Sequence, residues 1–457
     1  MTPAQHIAAD LAAELGWPDA PMDRLSVTQS TTGLATWLPI ADMAAGAQGL
    51  VGLAAAHLHE ARGGKPQTVH VDRWAASLSM TSAAYLTVNG EQAVEWDPLT
   101  GYHQANDGWV YTHCQFEHLR SRLLAAFDLP HDIDAVKACF AQIPAAEIEH
   151  IAQEAGACGI AQRTRAAWQA HPQAAVLAKA PVVQLARAGV TPSPELPPAE
   201  EPLAGIRVLD LSRVIAGPTI GKTLGEHGAQ VIRISAAHLP SFDSLVIDTG
   251  VNKRAAFVDL RTEEGHETLC RLITQADVLI DAYRPGSLAA KGFDEVALAK
   301  LNPSLVKVTL SAFGADGPWG GRRGYDTYVQ SATGLTAGED APARLPCQPL
   351  DYLGGYLGAA AAMIALTRRM AEGGGWRAEL SLARNAMWVW DQADRLGPEA
   401  APPATNPSLK QAAPLLAEME TSFGRVCAMR PARSLSLTPP KWRIPPVPLG
   451  SDPPVWV

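Results

Sequence analysis

Between residues 206 and 311, short apolar runs alternate with amphipathic stretches at a regular interval. The runs at 206–211, 230–234, 255–260, 278–281 and 305–311 are rich in Val, Ile and Leu, as strands buried on both faces are. The stretches 219–227, 262–275 and 294–301 between them carry helical spacing. Glu263 and Glu264 open the second of these, where acidic groups favour a helix start. This alternation predicts an α/β fold with a mostly parallel sheet covered by helices on both faces. Such sheets bind ligands beyond the carboxyl ends of their strands.

The flanks are less regular. Residues 1–190 mix helical patterns with a few strands, including 68–71 and the hairpin signal at Asp107-Gly-Trp109, and are expected to form a smaller α+β domain. Residues 191–202, rich in Pro and Glu, read as a semi-rigid linker, because proline restricts the backbone and removes donors. The sheet domain is then expected over 203–395, and residues 396–457 as an extended proline-rich tail that wraps a surface.

Two stretches nearly repeat one another. Gln29-Ser-Thr-Thr-Gly-Leu34 recurs as Gln330-Ser-Ala-Thr-Gly-Leu335, and Pro39-Ile-Ala-Asp42 as Pro349-Leu-Asp351. From the aspartates onward the copies keep register: Gly46 and Gly49 fall on Gly355 and Gly358, and Val69 to Val71 on Ala378 to Leu380. An aspartate at a helix start is most simply an N-cap. The same place also suits a nucleophilic carboxylate, because the helix terminus favours negative charge and nearby glycines let an acyl group approach. Asp351 follows a complete sheet half with basic loops, whereas Asp42 follows only a fragment, so Asp351 is the stronger candidate.

Composition narrows the classes. A chain of 457 residues with net charge -9 repels a phosphate backbone overall, so nucleic acid is not an expected partner. The six cysteines are scattered and no His/Cys spacing encloses a metal; buried thiols, a cytoplasmic setting and no metal are expected. The longest apolar run, 353–366, is short for a membrane span and contains glycines, so no membrane association is expected.

The loop after the first strand, Ser212-Arg-Val-Ile-Ala-Gly-Pro-Thr-Ile-Gly-Lys-Thr223, satisfies a permissive phosphate-loop pattern, with Asp281 as a possible distal magnesium ligand. Pro218 removes an amide from the stretch that should cradle phosphates, and Ala216 replaces the first glycine, which weakens that nucleotide-hydrolase reading. Basic residues cluster in the loops: Arg213, Lys253, Arg254, Arg284, Arg322 and Arg323 can converge on one rim and hold a polyphosphate. His113 and His118 lie in an aromatic stretch where packing is the simpler role, and Cys347 reads as a buried bystander.

Leu209-Asp-Leu-Ser-Arg-Val-Ile-Ala-Gly-Pro218, Asn252-Lys-Arg254, Arg284-Pro-Gly286, Gly324-Tyr-Asp326 and Pro349-Leu-Asp351 follow the order and spacing of the class III CoA-transferases. Residues 203–390 resemble that family closely, and 27–190 resemble its carboxyl-terminal half, so the pieces stand in permuted order. The resemblance implies a doubly wound sheet domain beside a smaller domain, a homodimer, and exchange of coenzyme A between an acyl-CoA and a carboxylic acid acceptor. It implies that Asp351 is the catalytic nucleophile and that Arg213, Val214, Ala216, Lys253, Arg254, Tyr283, Arg323 and Tyr325 contact coenzyme A. Tyr325 stands where the racemase relatives carry a histidine, which argues against racemization. A rival expectation is a CoA-binding protein that has lost transfer, since Ala282 and residues 235–240 depart from the family pattern.

Overall fold

The computed structural model describes residues 1–30, 33–93, 96–193, 196–338 and 340–457. Thr31 and Thr32 of the first repeat, and Pro194 and Glu195 of the expected linker, lie outside the described residues. The regular half builds one large sheet from β1 (Gln184–Arg187), β2 (Arg207–Leu211), β3 (Gln230–Ser235), β4 (Lys253–Phe257), β5 (Val278–Asp281), β6 (Val306–Ser311) and β7 (Trp376–Ser381). Their order is β4-β3-β2-β5-β6-β7-β1. Every pair is parallel except β7 with β1. Strands therefore wind outward in both directions from β2 and β5, giving the doubly wound order, and the crevice opens beyond Leu211 and Asp281.

The helices that build the site are α1 (Pro3–Glu14), α2 (Ile40–Ala61), α3 (Ala216–Glu226), α4 (Asp326–Thr333), α5 (Pro349–Glu372) and α6 (Leu382–Leu396). Alternation along the strands divides the sheet between two cores. Val208, Val231, Ile280 and Val308 join the core of α3 and α5, whereas Leu209, Ile232 and Leu279 join that of Glu263–Thr274 and Glu295–Leu301. Each such side chain contributes roughly 1.5–3 kcal/mol when fully buried.

By length and composition α5 could cross a membrane, but most of it is buried inside the protein. Its glycines allow that packing: a Cβ at Gly355 would lie 2.5 Å from Thr219 Cβ, and one at Gly358 would lie 2.7 Å from Ile220 Cδ1.

Three expectations about organisation change. First, β4 starts at Lys253 rather than residue 255, because the Lys253 ammonium is neutralised inside the fold by Asp210 and can enter a strand. Second, residues 1–190 are not one separate domain. Helices α1 and α2 share the core of α5, and β1 closes the main sheet antiparallel to β7. The segment with a core of its own is smaller, built around Val110, Phe140 and Ile148, with the hairpin Gly101–Gln104 and Trp109–Thr112. Third, the tail contains a hairpin, Leu416–Thr421 with Gly424–Met429, closed by Gly424 at φ 108°. Beyond it Arg433–Leu435 pairs with Val69–Val71, and Asp452 accepts from the Ala255 N–H.

From the aspartates onward the sequence repeat is a structural repeat, whereas Gln330 to Thr333 end α4 and Gln29, Ser30, Gly33 and Leu34 lie outside any helix. Strand Leu25–Val27, α2, strand Val69–Val71 and helix Arg73–Ser79 follow one another as β6, α5, β7 and α6 do, with both strand pairs parallel. Asp72 and Ser381 cap the closing helices at matching positions.

Candidate active site

Neither repeated aspartate is an N-cap. Asp42 and Asp351 lie in the first turns of α2 and α5, preceded by Pro39 and Gln348, and neither of those makes a side-chain cap. The start of α5 is satisfied from outside: Asp326, at the start of α4, accepts the N–H groups of Leu350 and Asp351 at 2.7 and 2.9 Å. Its other oxygen accepts from the Gln330 amide.

The two aspartates then diverge. Asp42 is clamped by Arg73, whose Nε and Nη2 donate to its two oxygens at 3.1 and 2.8 Å, and Glu399 braces the same guanidinium. Asp351 has no hydrogen bond to its carboxylate among the described residues and lines a cavity of about 930 Å³. Burial pushes its pKa well above the usual carboxylate range, and the neighbouring Asp326 pushes it further. Asp326 itself is raised to about 7 by burial, restrained by the N–H groups and the Gln330 amide that it accepts. Two carboxyls this close resist ionising together, because each negative charge disfavours the other.

The loop at the crevice leads from β2 to α3. Val214 and Ile215 line the cavity, and Val214 holds φ 71°, a left-handed conformation costly for a β-branched residue. Ala216 opens α3 and is buried against α5. Arg213 lies over Phe116 and Tyr283, at 5.7 and 5.6 Å from their ring centroids, and Nη1 donates to the Pro240 carbonyl. Tyr325 lines the cavity and stacks on His113 with centroids 4.0 Å apart.

Arg122, Arg213, Arg284 and Arg323 gather around this aromatic group without an acidic ion-pair partner among the described residues. Their crowding is felt electrostatically: burial, then Arg323 and Arg122, lower the Arg284 pKa. Burial followed by Arg122, Arg323 and Arg213 lowers that of His118. Such uncompensated charge suits a polyanion.

Two expected ligand contacts fall elsewhere. Lys253 is 1% exposed, and its Nζ donates to Asp210 and to the Pro218 carbonyl at 2.7 and 2.6 Å. Burial pushes its pKa down to about 8. Arg254 binds the tail through Asp452 and the Val455 carbonyl. Both sit in β4 rather than in a loop, so their side chains are taken by the protein itself. The phosphate-loop reading also fails: Gly221, Lys222 and Thr223 lie within α3, Lys222 donates to the Asp248 carbonyl, and Asp281 pairs with Lys307.

Sequence reasoning missed three residues on the cavity wall: Asp326, Arg344 and, as more than packing, His113. Asp326 was visible only as the end of Gly324-Tyr-Asp326, and nothing local marks the others. His113 is held neutral, its pKa lowered to about 3 chiefly by burial, and its Nδ1 has no hydrogen-bond partner. Cys347 is fully buried with a strongly raised pKa, an inert thiol. Among the described residues no group of three His, Cys, Asp or Glu side chains could hold a metal ion.

A family model described as CoA-transferase family III matches residues 16–194 and 203–414. Over 190 residues the chain is 34% identical to a probable fatty acyl-CoA transferase of Mycobacterium tuberculosis, covering 38% of this chain and 48% of that protein. Over 210 residues it is 31% identical to the succinate–glutarate CoA-transferase of Agrobacterium fabrum, covering 41% and 52%. It thus spans about half the length of these curated relatives. A crystal structure of a CaiB/BaiF family protein from Brucella suis aligns at TM-score 0.39 and 28% identity, covering 49% of this chain and 65% of that one.

Proposed function

The chain belongs to CoA-transferase family III, and from that premise we propose that it transfers coenzyme A from an acyl-CoA to a free carboxylic acid with Asp351 as nucleophile. The observation that carries this reading is the Asp351 carboxylate: buried, without a hydrogen-bond partner among the described residues, raised in basicity, and open to a cavity large enough for an acyl-pantetheine arm.

The ionised carboxylate attacks the thioester carbonyl, the C–S bond breaks, and coenzyme A leaves as its thiolate while an aspartyl anhydride forms. The thiolate attacks the aspartyl carbon, releasing the donor acid and leaving an aspartyl-CoA thioester. The acceptor carboxylate displaces the thiolate in turn, and the thiolate then takes the acceptor acyl group and frees Asp351. One thioester replaces another, so no nucleotide is consumed. Arg213, Arg284 and Arg323 are suited to the phosphates of coenzyme A, with Tyr283 and Tyr325 beside them.

Incubation with an acyl-CoA followed by hydroxylamine should leave a hydroxamate on Asp351, located by peptide mass. An unmodified Asp351 in folded protein that still binds acyl-CoA would point to a binding protein instead.

A further inference from the structure

Arg344 is the one basic side chain among the described residues of the cavity wall that carries Asp351. Its guanidinium stands 5.2 Å from the centroid of the Trp96 ring, which lines the same cavity. Among the described residues it has no acidic ion-pair partner. A guanidinium stacked on an indole keeps its N–H edge free, and that edge matches a carboxylate in two parallel hydrogen bonds.

Arg344 lines the cavity that carries Asp351, whereas Arg213, Arg284 and Arg323, suited to coenzyme A, do not. Its charge acts on His113, Tyr111 and Asp326, whereas Arg213 and Arg323 act on Tyr325. The stacked His113 and Tyr325 rings both line the cavity. His113 supplies a second polar group on this side: it is 8% exposed and its Nδ1 is unpartnered. The compartment thus offers a cation and a buried polar atom where a purely alkyl chain would use neither.

We propose that Arg344, stacked on Trp96, receives a second carboxylate carried by the acyl donor or acceptor, so that this chain works on dicarboxylic rather than monocarboxylic acids. This rests on the transferase reading, with Asp351 holding the reacting carbonyl at one end of the cavity and Arg344 the far end of the acyl group. Trp96 and the neutral His113 imidazole provide walls without competing negative charge.

Succinyl-CoA and butyryl-CoA have the same carbon count and differ in a terminal carboxylate against a methyl group. In wild-type protein kcat/KM should favour succinyl-CoA at least about tenfold, the lower end expected from one charge-assisted pair. Arg344→Gln should reduce that ratio by about tenfold to a hundredfold, and Arg344→Lys should restore part of it. A wild-type ratio at or below one, or an equal loss for both thioesters in Arg344→Gln, as a coenzyme A contact would give, would overturn the proposal. Calorimetric titration with free succinate and butyrate separates this from the transferase reading. Succinate should bind wild type more tightly than butyrate, and the difference should vanish in Arg344→Gln whether or not Asp351 forms an adduct. Equal binding of the two acids by wild type would also overturn it.

Discussion

Asp326 accepts both N–H groups at the start of α5 and places a negative charge beside Asp351, so one side chain sets the position and the basicity of the proposed nucleophile. Asp326→Asn keeps an oxygen for the two N–H groups but removes the charge. The Asp351 pKa should then fall, and the acid limb of the kcat/KM profile should move to lower pH. Stability follows the same groups. A raised pKa in the folded chain favours the protonated form, so this contribution is fully present below the ordinary Asp value of 3.8 and is lost as pH rises through about 7. The thermal midpoint of wild type should therefore drop more between pH 5 and 8 than that of Asp326→Asn. At Asp42 the expectation differs: Asp42→Ala strips the Arg73 guanidinium of its bidentate partner in a largely buried site, and loss of such a partner costs about 3–5 kcal/mol, less here because Glu399 remains. Its urea midpoint should fall while kcat per folded molecule holds.

At the level of elements, the contact of α5 with α3 sets the cavity wall. Gly355 faces Thr219 Cβ at 2.5 Å and the Ala216 carbonyl at 3.0 Å from where a Cβ would stand. Alanine favours a helix interior by roughly 1 kcal/mol over glycine, but overpacking a tight contact costs about 1–3 kcal/mol. Gly355→Ala should lower the urea midpoint, and pushing back Ala216 should also disturb Val214 and Ile215 on the cavity wall, raising KM for the acyl-CoA. An unchanged midpoint and KM would show that α3 yields without cost.

Across the whole molecule, the first copy of the repeated unit covers the second. α2 packs along α5 and both belong to one core, so removal of residues 1–80 uncovers an apolar helix face and takes away Val69–Val71, the partner strand of Arg433–Leu435. Such a truncation should be insoluble or lose its cooperative thermal transition; a soluble protein with an unchanged midpoint would contradict this arrangement. The parts of the chain thus interlock: β1, from the first part, closes the sheet of the second, and the tail returns to pair with the first.

Local pattern alone determined the strands β2, β3, β5 and β6, since apolar runs between helix signals have one economical burial, and it determined the repeat that singles out Asp42 and Asp351. It could not separate the two aspartates by chemistry, because the deciding groups, Arg73 for one and Asp326 for the other, arrive from distant positions. Lys253 and Arg254 show the same limit: a basic residue after an apolar run reads as free until folding brings Asp210 and Asp452 to it. Sequence periodicity records which face of an element is buried; which charge meets which depends on packing between elements far apart in the chain, and only the tertiary structure decided that.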